Sequence, residues 1–277
     1  MLIATDLDGT FLDPDGGVSP RNLRALDSAR AAGVEVVPVT GRALGGLRRL
    51  GPLFPRHAVL VNGALGYDLV EGRATFTQPT PAEVVSRFVE AMDRAAEGIV
   101  FCSVVGDSGT FLVEDGYDDL TPDYERHNDP ADLVVVSRAQ LVATDSLKIM
   151  ARHPRLSAEQ LHEVAEDLAL PQVHTTFSGY TMVEMSRAGV AKDSGLERLC
   201  AVVGQRREDV VALGDGSNDV EMLAWAGSSY AMAKAHPRAV AAADHRAPDH
   251  AEDGFARVVE ELLAERGACD AAGTARQ

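Results

Sequence analysis

Four short apolar runs, each breaking off into a polar loop that carries glycine, restrict this chain more than any other feature of it. Leu2 to Asp6 ends in Asp6-Leu7-Asp8-Gly9-Thr10, and Val34 to Val39 runs into Thr40-Gly41-Arg42. Ala58 to Val61 closes with Asn62-Gly63, and Val210 to Leu213 precedes Gly214-Asp215-Gly216-Ser217-Asn218-Asp219. Runs this short and this apolar fit strands buried on both faces. Between the first two, Ser19-Pro20 is a helix start, with a hydroxyl at the N-cap and proline in the first turn. Leu23 and Leu26 give a partial helical stripe, and Gly33 follows the last turn. Strand, helix and strand at these spacings predict an α/β fold with a parallel sheet and right-handed crossovers.

The pattern changes at Gln78-Pro79-Thr80-Pro81, where two prolines mark a hinge. From there a helix over Ala82 to Ala96 precedes apolar runs at Ile99 to Val105, Phe111 to Val113, Leu133 to Val136 and Leu147 to Met150. A second helix, Ala158 to Leu168, precedes Val173 to Phe177 and Thr181 to Met185. Strands grouped with few helices predict an inserted α+β unit with an antiparallel sheet. Alternation returns after Ser186-Arg187-Ala188-Gly189, with helices from Lys192, over Val220 to Ala226 and over Phe255 to Arg266. Gly267 to Gln277 lacks a core pattern and reads as a loose tail. The expected organisation is a discontinuous core, residues 1–80 and 187–277, holding a cap of residues 81–186.

With 277 residues, 45% of them hydrophobic, the chain can bury such a core and cap. No apolar run reaches the roughly 18 residues of a membrane span, and the start at Met1 has no secretory pattern. Cys102, Cys200 and Cys269 form neither a disulfide framework nor a CxxC pair, so a soluble, cytoplasmic protein is expected. The formal charge of −16 opposes binding to nucleic acid at long range. A small anion remains admissible, because a metal and a few cations can reverse the field inside one cleft. Between Glu114 and Asp132 eight acids accompany only Arg126, which predicts a solvated surface.

Ligands of parallel sheets bind outside the carboxyl ends of the strands, where Asp6 and Asp8 fall. Two neighbouring carboxylates either split their pKa values or share a cation, which suits a nucleophile and a general acid in one loop. Turn chemistry is the plain alternative for Asp-Gly-Thr, while a calcium loop would need glycine where Phe11 stands. Asp215, Asn218 and Asp219 offer hard oxygen ligands suited to Mg²⁺. A dinucleotide loop would need glycine in place of Asp219, and helix capping by Asp219 is compatible with a catalytic role. Thr40 and Gly41 could bind a phosphate oxygen or simply start a helix; Lys192 read alone is a solvated lysine, Arg42 serves phosphate, substrate or a surface ion pair, and Asn62 is a polar contact or a turn. The eight histidines form no zinc pattern.

Taken in order, Asp6 to Thr10, Thr40, Lys192 and Gly214 to Asp219 resemble the four motifs of the haloacid dehalogenase (HAD) superfamily. The long insert, Asn62-Gly63-Ala64 and Gly189-Val190-Ala191-Lys192 are similar to Cof-like phosphatases with a type IIB (C2B) cap. The resemblance implies a Rossmann-like core and hydrolysis of a small phosphate monoester, a sugar phosphate or phosphorylated cofactor. Asp6 would be the nucleophile and Asp8 the acid and base. Mg²⁺ would be held by Asp6, the Asp8 carbonyl and Asp215, with Asp219 as ligand or support. Thr40, Gly41, Lys192 and Asn218 would bind the phosphoryl group. Substrate contacts are sought at Arg42, Asn62, Lys148, Tyr180 and Arg187, each with a plain packing or ion-pair alternative. A phosphomutase and a non-catalytic phosphate-binding regulator are the competing readings, and the oligomeric state is open.

Overall fold

The computed structural model describes residues 1–125, 133–177 and 181–274. Five parallel strands form the central sheet in the order β14-β13-β12-β1-β2. They are β1 (Leu2–Thr5), β2 (Glu35–Pro38), β12 (Val210–Gly214), β13 (Ser228–Ala231) and β14 (His245–Arg246). Helix α1 (Pro20–Ala31) starts where expected, with the Ser19 hydroxyl accepting from the Asn22 N–H. Short α2 (Leu44–Arg48) leads to β3 (His57–Leu60). A single parallel bridge, Val39 to Val59, attaches β3 to the sheet. The chain then doubles back through β4 (Leu65–Asp68) and β5 (Arg73–Thr77), an antiparallel pair that the apolar pattern did not reveal.

The insert begins with α3 (Ala82–Ala95) and builds a second, six-stranded sheet ordered β10-β11-β9-β6-β7-β8. Its strands are β6 (Val100–Val105), β7 (Thr110–Val113), β8 (Leu133–Val135), β9 (Lys148–Arg152), β10 (Val173–Thr176) and β11 (Val183–Arg187). The sheet is antiparallel except at its edge, where β7 and β8 run parallel. Helices α3, α4 (Arg138–Val142) and α5 (Ala158–Asp167) cover one face, burying Phe101, Ile149, Val183 and Met185 against Phe88, Leu141 and Leu161. By the two-residue strand period the alternate residues, among them Cys102, Val104 and Met150, belong to the face packed on the core.

The chain returns to the core through α6 (Lys192–Val203), α7 (Val220–Trp225), α8 (Pro237–Ala242) and α9 (Gly254–Thr274). Here the sequence reading needs correction: α9 continues past Gly267 to Thr274, because a helix already anchored by buried Phe255 and Val259 propagates at one bond per residue, even across two glycines. A second correction concerns the acidic stretch. Glu114 and Glu125 are buried, paired with Arg138 and Arg152, because distant arginines supply the charge that the segment lacks. Arg126 of that stretch lies outside the described residues, as does Tyr180.

Candidate active site

Strand β1 lies between β12 and β2, so the loops that follow these strands open at one edge of the sheet. Thr5 is level with Leu213, and the Asp6 N–H donates to the Leu213 carbonyl at 3.0 Å. That register sets Asp6 beside the Gly214-Asp215 turn although more than 200 residues separate them in the chain. Gly9 makes the approach possible. Its φ of +79° favours glycine, and a Cβ there would lie 2.3 Å from Asp215 Oδ2. Thr10 Oγ1 donates to Asp215 Oδ1 at 2.6 Å and fixes the second loop onto the first.

Lys192 opens α6 and is fully buried, with Nζ 2.7 Å from Asp6 Oδ1 and 2.6 Å from Asp219 Oδ1. Close packing of α6 on the loop after β3 brings it there. Gly63, at φ +94°, leaves no room for a Cβ, which would sit 2.0 Å from the Ala191 carbonyl oxygen. The other oxygen of Asp219 accepts from the backbone N–H groups of Asp215 at 2.9 Å and Gly216 at 2.8 Å. Asp219 therefore ties the lysine to the turn that carries Asp215.

Asp6, Asp215 and Asp219 each bring a carboxylate oxygen within 4.8 Å of the others. Burial raises the Asp6 carboxyl well above its usual range, as do the charges of Asp219, Asp215 and Asp8, against the opposing charge of Lys192. Burial, then the charge of Asp219, lifts Asp215 to about 7, while the Thr10 hydrogen bond and Lys192 act the other way. Lys192 is raised as well: burial works against its charge, but Asp219 and Asp6 outweigh that cost. An all-oxygen set under this mutual repulsion fits a hard divalent cation.

Asp8 is gripped by Arg42, whose Nε donates to Oδ2 at 2.8 Å and whose Nη2 donates to Oδ1. The Arg42 N–H donates to Thr40 Oγ1 at 3.1 Å. Asn218 Nδ2 donates to Asn62 Oδ1 at 3.2 Å, and Asn62 Nδ2 donates to Glu184 Oε2 at 3.1 Å. Lys148 reaches down from β9, donating to the Gly41 carbonyl at 3.0 Å and pairing with Glu184 Oε1. Asp6, Asp8, Thr40, Gly41, Arg42, Lys148, Asp215 and Asn218 all line one cavity of about 130 Å³.

Arg187 does not join them. It shares the strand parity of Val183 and Met185, opposite to Glu184, and is exposed at the end of β11. Sequence reasoning passed over Glu184, Thr10 and the Glu125–Arg152 pair. The available signal for Glu184 was a lone acid inside the apolar run Val183 to Met185, the mirror of Lys148 inside Leu147 to Met150.

A parallel sheet with carboxylates and a buried lysine at its carboxyl edge, closed by an inserted α+β layer, defines a capped α/β protein with an acidic pocket. The sequence profile of the haloacid dehalogenase-like hydrolases matches residues 3–259, and the chain belongs to that family. It is 27% identical over 272 residues to 5-amino-6-(5-phospho-D-ribitylamino)uracil phosphatase YbjI of Escherichia coli, covering 95% of this chain and 96% of that one. Pyridoxal phosphate phosphatase YbhA of the same organism is 26% identical over 270 residues, covering 93% and 97%. The fold matches that of a HAD subclass IIB sugar phosphatase with a TM-score of 0.80 at 20% identity, over 94% of this chain and 98% of the other. Among the described residues no helix is long and apolar enough to cross a membrane.

Proposed function

We propose that this phosphatase hydrolyses a small phosphorylated metabolite, a phosphate monoester, in the cleft between a core of residues 1–80 and 187–277 and a cap of residues 81–186. One observation carries the reading: the carboxylates of Asp6, Asp215 and Asp219, from two distant loops, lie within 4.8 Å of one another beside the fully buried Lys192. Asp6 and Asp215, with the Asp8 carbonyl, would hold Mg²⁺, and both oxygens of Asp219 serve to fix Lys192 and the turn. When bound, the ion offsets the repulsion between the Asp6 carboxylate and an anionic phosphate.

Asp6 attacks phosphorus: one of its oxygens forms the new P–O bond as the ester P–O bond breaks. Asp8 gives its proton to the departing oxygen. In the second half, Asp8 takes a proton from water as that water bonds to phosphorus and the bond to Asp6 breaks, releasing inorganic phosphate. Lys192 neutralises charge on the phosphoryl oxygens, and the Thr40 hydroxyl, the Gly41 N–H and the Asn218 amide orient them. Arg42 holds the Asp8 carboxylate through paired hydrogen bonds and must release one oxygen when Asp8 carries the proton.

The test is phosphate release from a panel of phosphate esters with and without Mg²⁺, together with Asp6→Asn. The variant keeps the fold, as judged by circular dichroism, and loses turnover by 10³-fold or about that. Near-normal activity of Asp6→Asn on any ester overturns the assignment.

A further inference from the structure

The cleft also constrains what is attached to the phosphate, and here the inference rests on the phosphatase reading given above. The departing oxygen takes its proton from Asp8, so the leaving group must extend on the Asp8 side. Two cavities meet the site. The larger, about 390 Å³, touches Lys192 and Asn218 but not Asp8, whereas the 130 Å³ cavity is lined by Asp6, Asp8 and Arg42. The leaving group therefore enters the smaller one.

Its far wall is the core-facing side of the cap sheet. Val104, Phe111, Met150 and Met182 form the apolar part of it. The charged groups of that wall already have partners: Lys148 holds Glu184 and the Gly41 carbonyl, and Glu184 holds Asn62. Glu125 accepts from Arg152 Nη2 at 2.6 Å and from the Thr181 N–H at 2.7 Å. A polyhydroxylated leaving group could bond to the capacity left on Lys148 and the carboxylates, but every hydroxyl set against the methyl, thioether and phenyl groups would be buried without a partner.

Behind this wall lies a second chamber of about 290 Å³, which shares Phe111, Glu125, Met150 and Met182 with the first. It adds Tyr117 and Val113. The Arg152 side chain is 4% exposed, and its guanidinium stacks over the Tyr117 ring at 5.3 Å. We propose that the leaving group is a flat conjugated ring, which lies among Phe111, Met150 and Met182 and extends toward Tyr117. Thioethers and a phenyl ring hold a π-face well and adapt to its outline.

The experiment compares kcat/KM of the wild-type protein with Mg²⁺ for pyridoxal phosphate and flavin mononucleotide against glucose phosphate and glycerol phosphate. The ring-bearing esters are expected to be preferred by about tenfold or more, the scale on which an apolar pocket discriminates. Phe111→Leu, which keeps apolar volume but removes the ring, should reduce that preference through KM rather than kcat. Equal or better turnover of the compact esters overturns the ring assignment and leaves the phosphatase reading standing. Failure to release phosphate from any ester, with Mg²⁺ present, overturns both.

Discussion

Replacing Lys192 by methionine keeps the length and apolar stem of the side chain and removes only its charge. In the folded protein that charge lies 2.7 Å from Asp6 and 2.6 Å from Asp219, on a side chain with no exposed surface. Without it, carboxylates within 4.8 Å of each other face one another unscreened. Two unit charges at that separation repel by roughly 3 kcal/mol at an effective dielectric constant of about 20. Breaking a buried ion pair from one side costs about 3–5 kcal/mol, a comparable figure. Against a total stability of about 5–15 kcal/mol this is a large fraction, and it corresponds to a fall in Tm of roughly 6–20 °C. The loss also has a sign in pH. Asp6 and Asp215 already hold their protons more tightly than free carboxylates do, so acid neutralises the crowded cluster and reduces the damage. Urea unfolding in chelator, followed through the single tryptophan, Trp225, measures both effects at pH 5 and pH 8. The midpoint of Lys192→Met should fall well below wild type at pH 8 and approach it at pH 5. A variant as stable as wild type at pH 8, or equally weakened at both values, refutes the electrostatic account of the site.

Gly9→Ala forces a left-handed φ on alanine and drives a methyl group into Asp215, so it should cost about 2–4 kcal/mol and weaken Mg²⁺ binding in calorimetry. Saturating Mg²⁺ at a hundred times its Kd should raise wild-type stability by about 2.7 kcal/mol, seen as a thermal shift that Asp215→Asn abolishes. Away from the site, burial raises the Asp68 carboxyl, but hydrogen bonds from Glu71 N–H, Arg56 and Val70 N–H outweigh it and hold it below its usual value. Its contribution to stability is present above the unfolded value of 3.8 and is lost as pH falls through the lower folded value. Asp68→Asn should therefore flatten the acid limb of a Tm-against-pH curve below about pH 4 while leaving KM unchanged.

How much of this was legible in the sequence depends on the range of the interaction responsible. The buried strands β1, β2 and β12 announce themselves because each is a local apolar run, and the Ser19-Pro20 start of α1 is written in adjacent residues. The hairpin β4–β5 is fainter: Leu65 and Tyr67, like Ala74 and Phe76, alternate with polar or glycine positions, but over runs of only four and five residues whose register comes from pairing with β3. Asp6, Lys192 and Asp215 could be suspected from position alone, at the ends of strands or the start of a helix. What joins them is register: Thr5 level with Leu213, and Gly63 admitting α6, are contacts between segments more than 100 residues apart. Glu184 shows the same limit from the other side. Its role depends on strand parity within a sheet whose partner β9 carries Lys148, and on Asn62 lying across the cleft. Arg187, three residues later and just as polar, has the opposite parity and faces away. A charged residue in a cap strand is therefore informative only once its face is known, and the face is fixed by pairing that no single segment encodes.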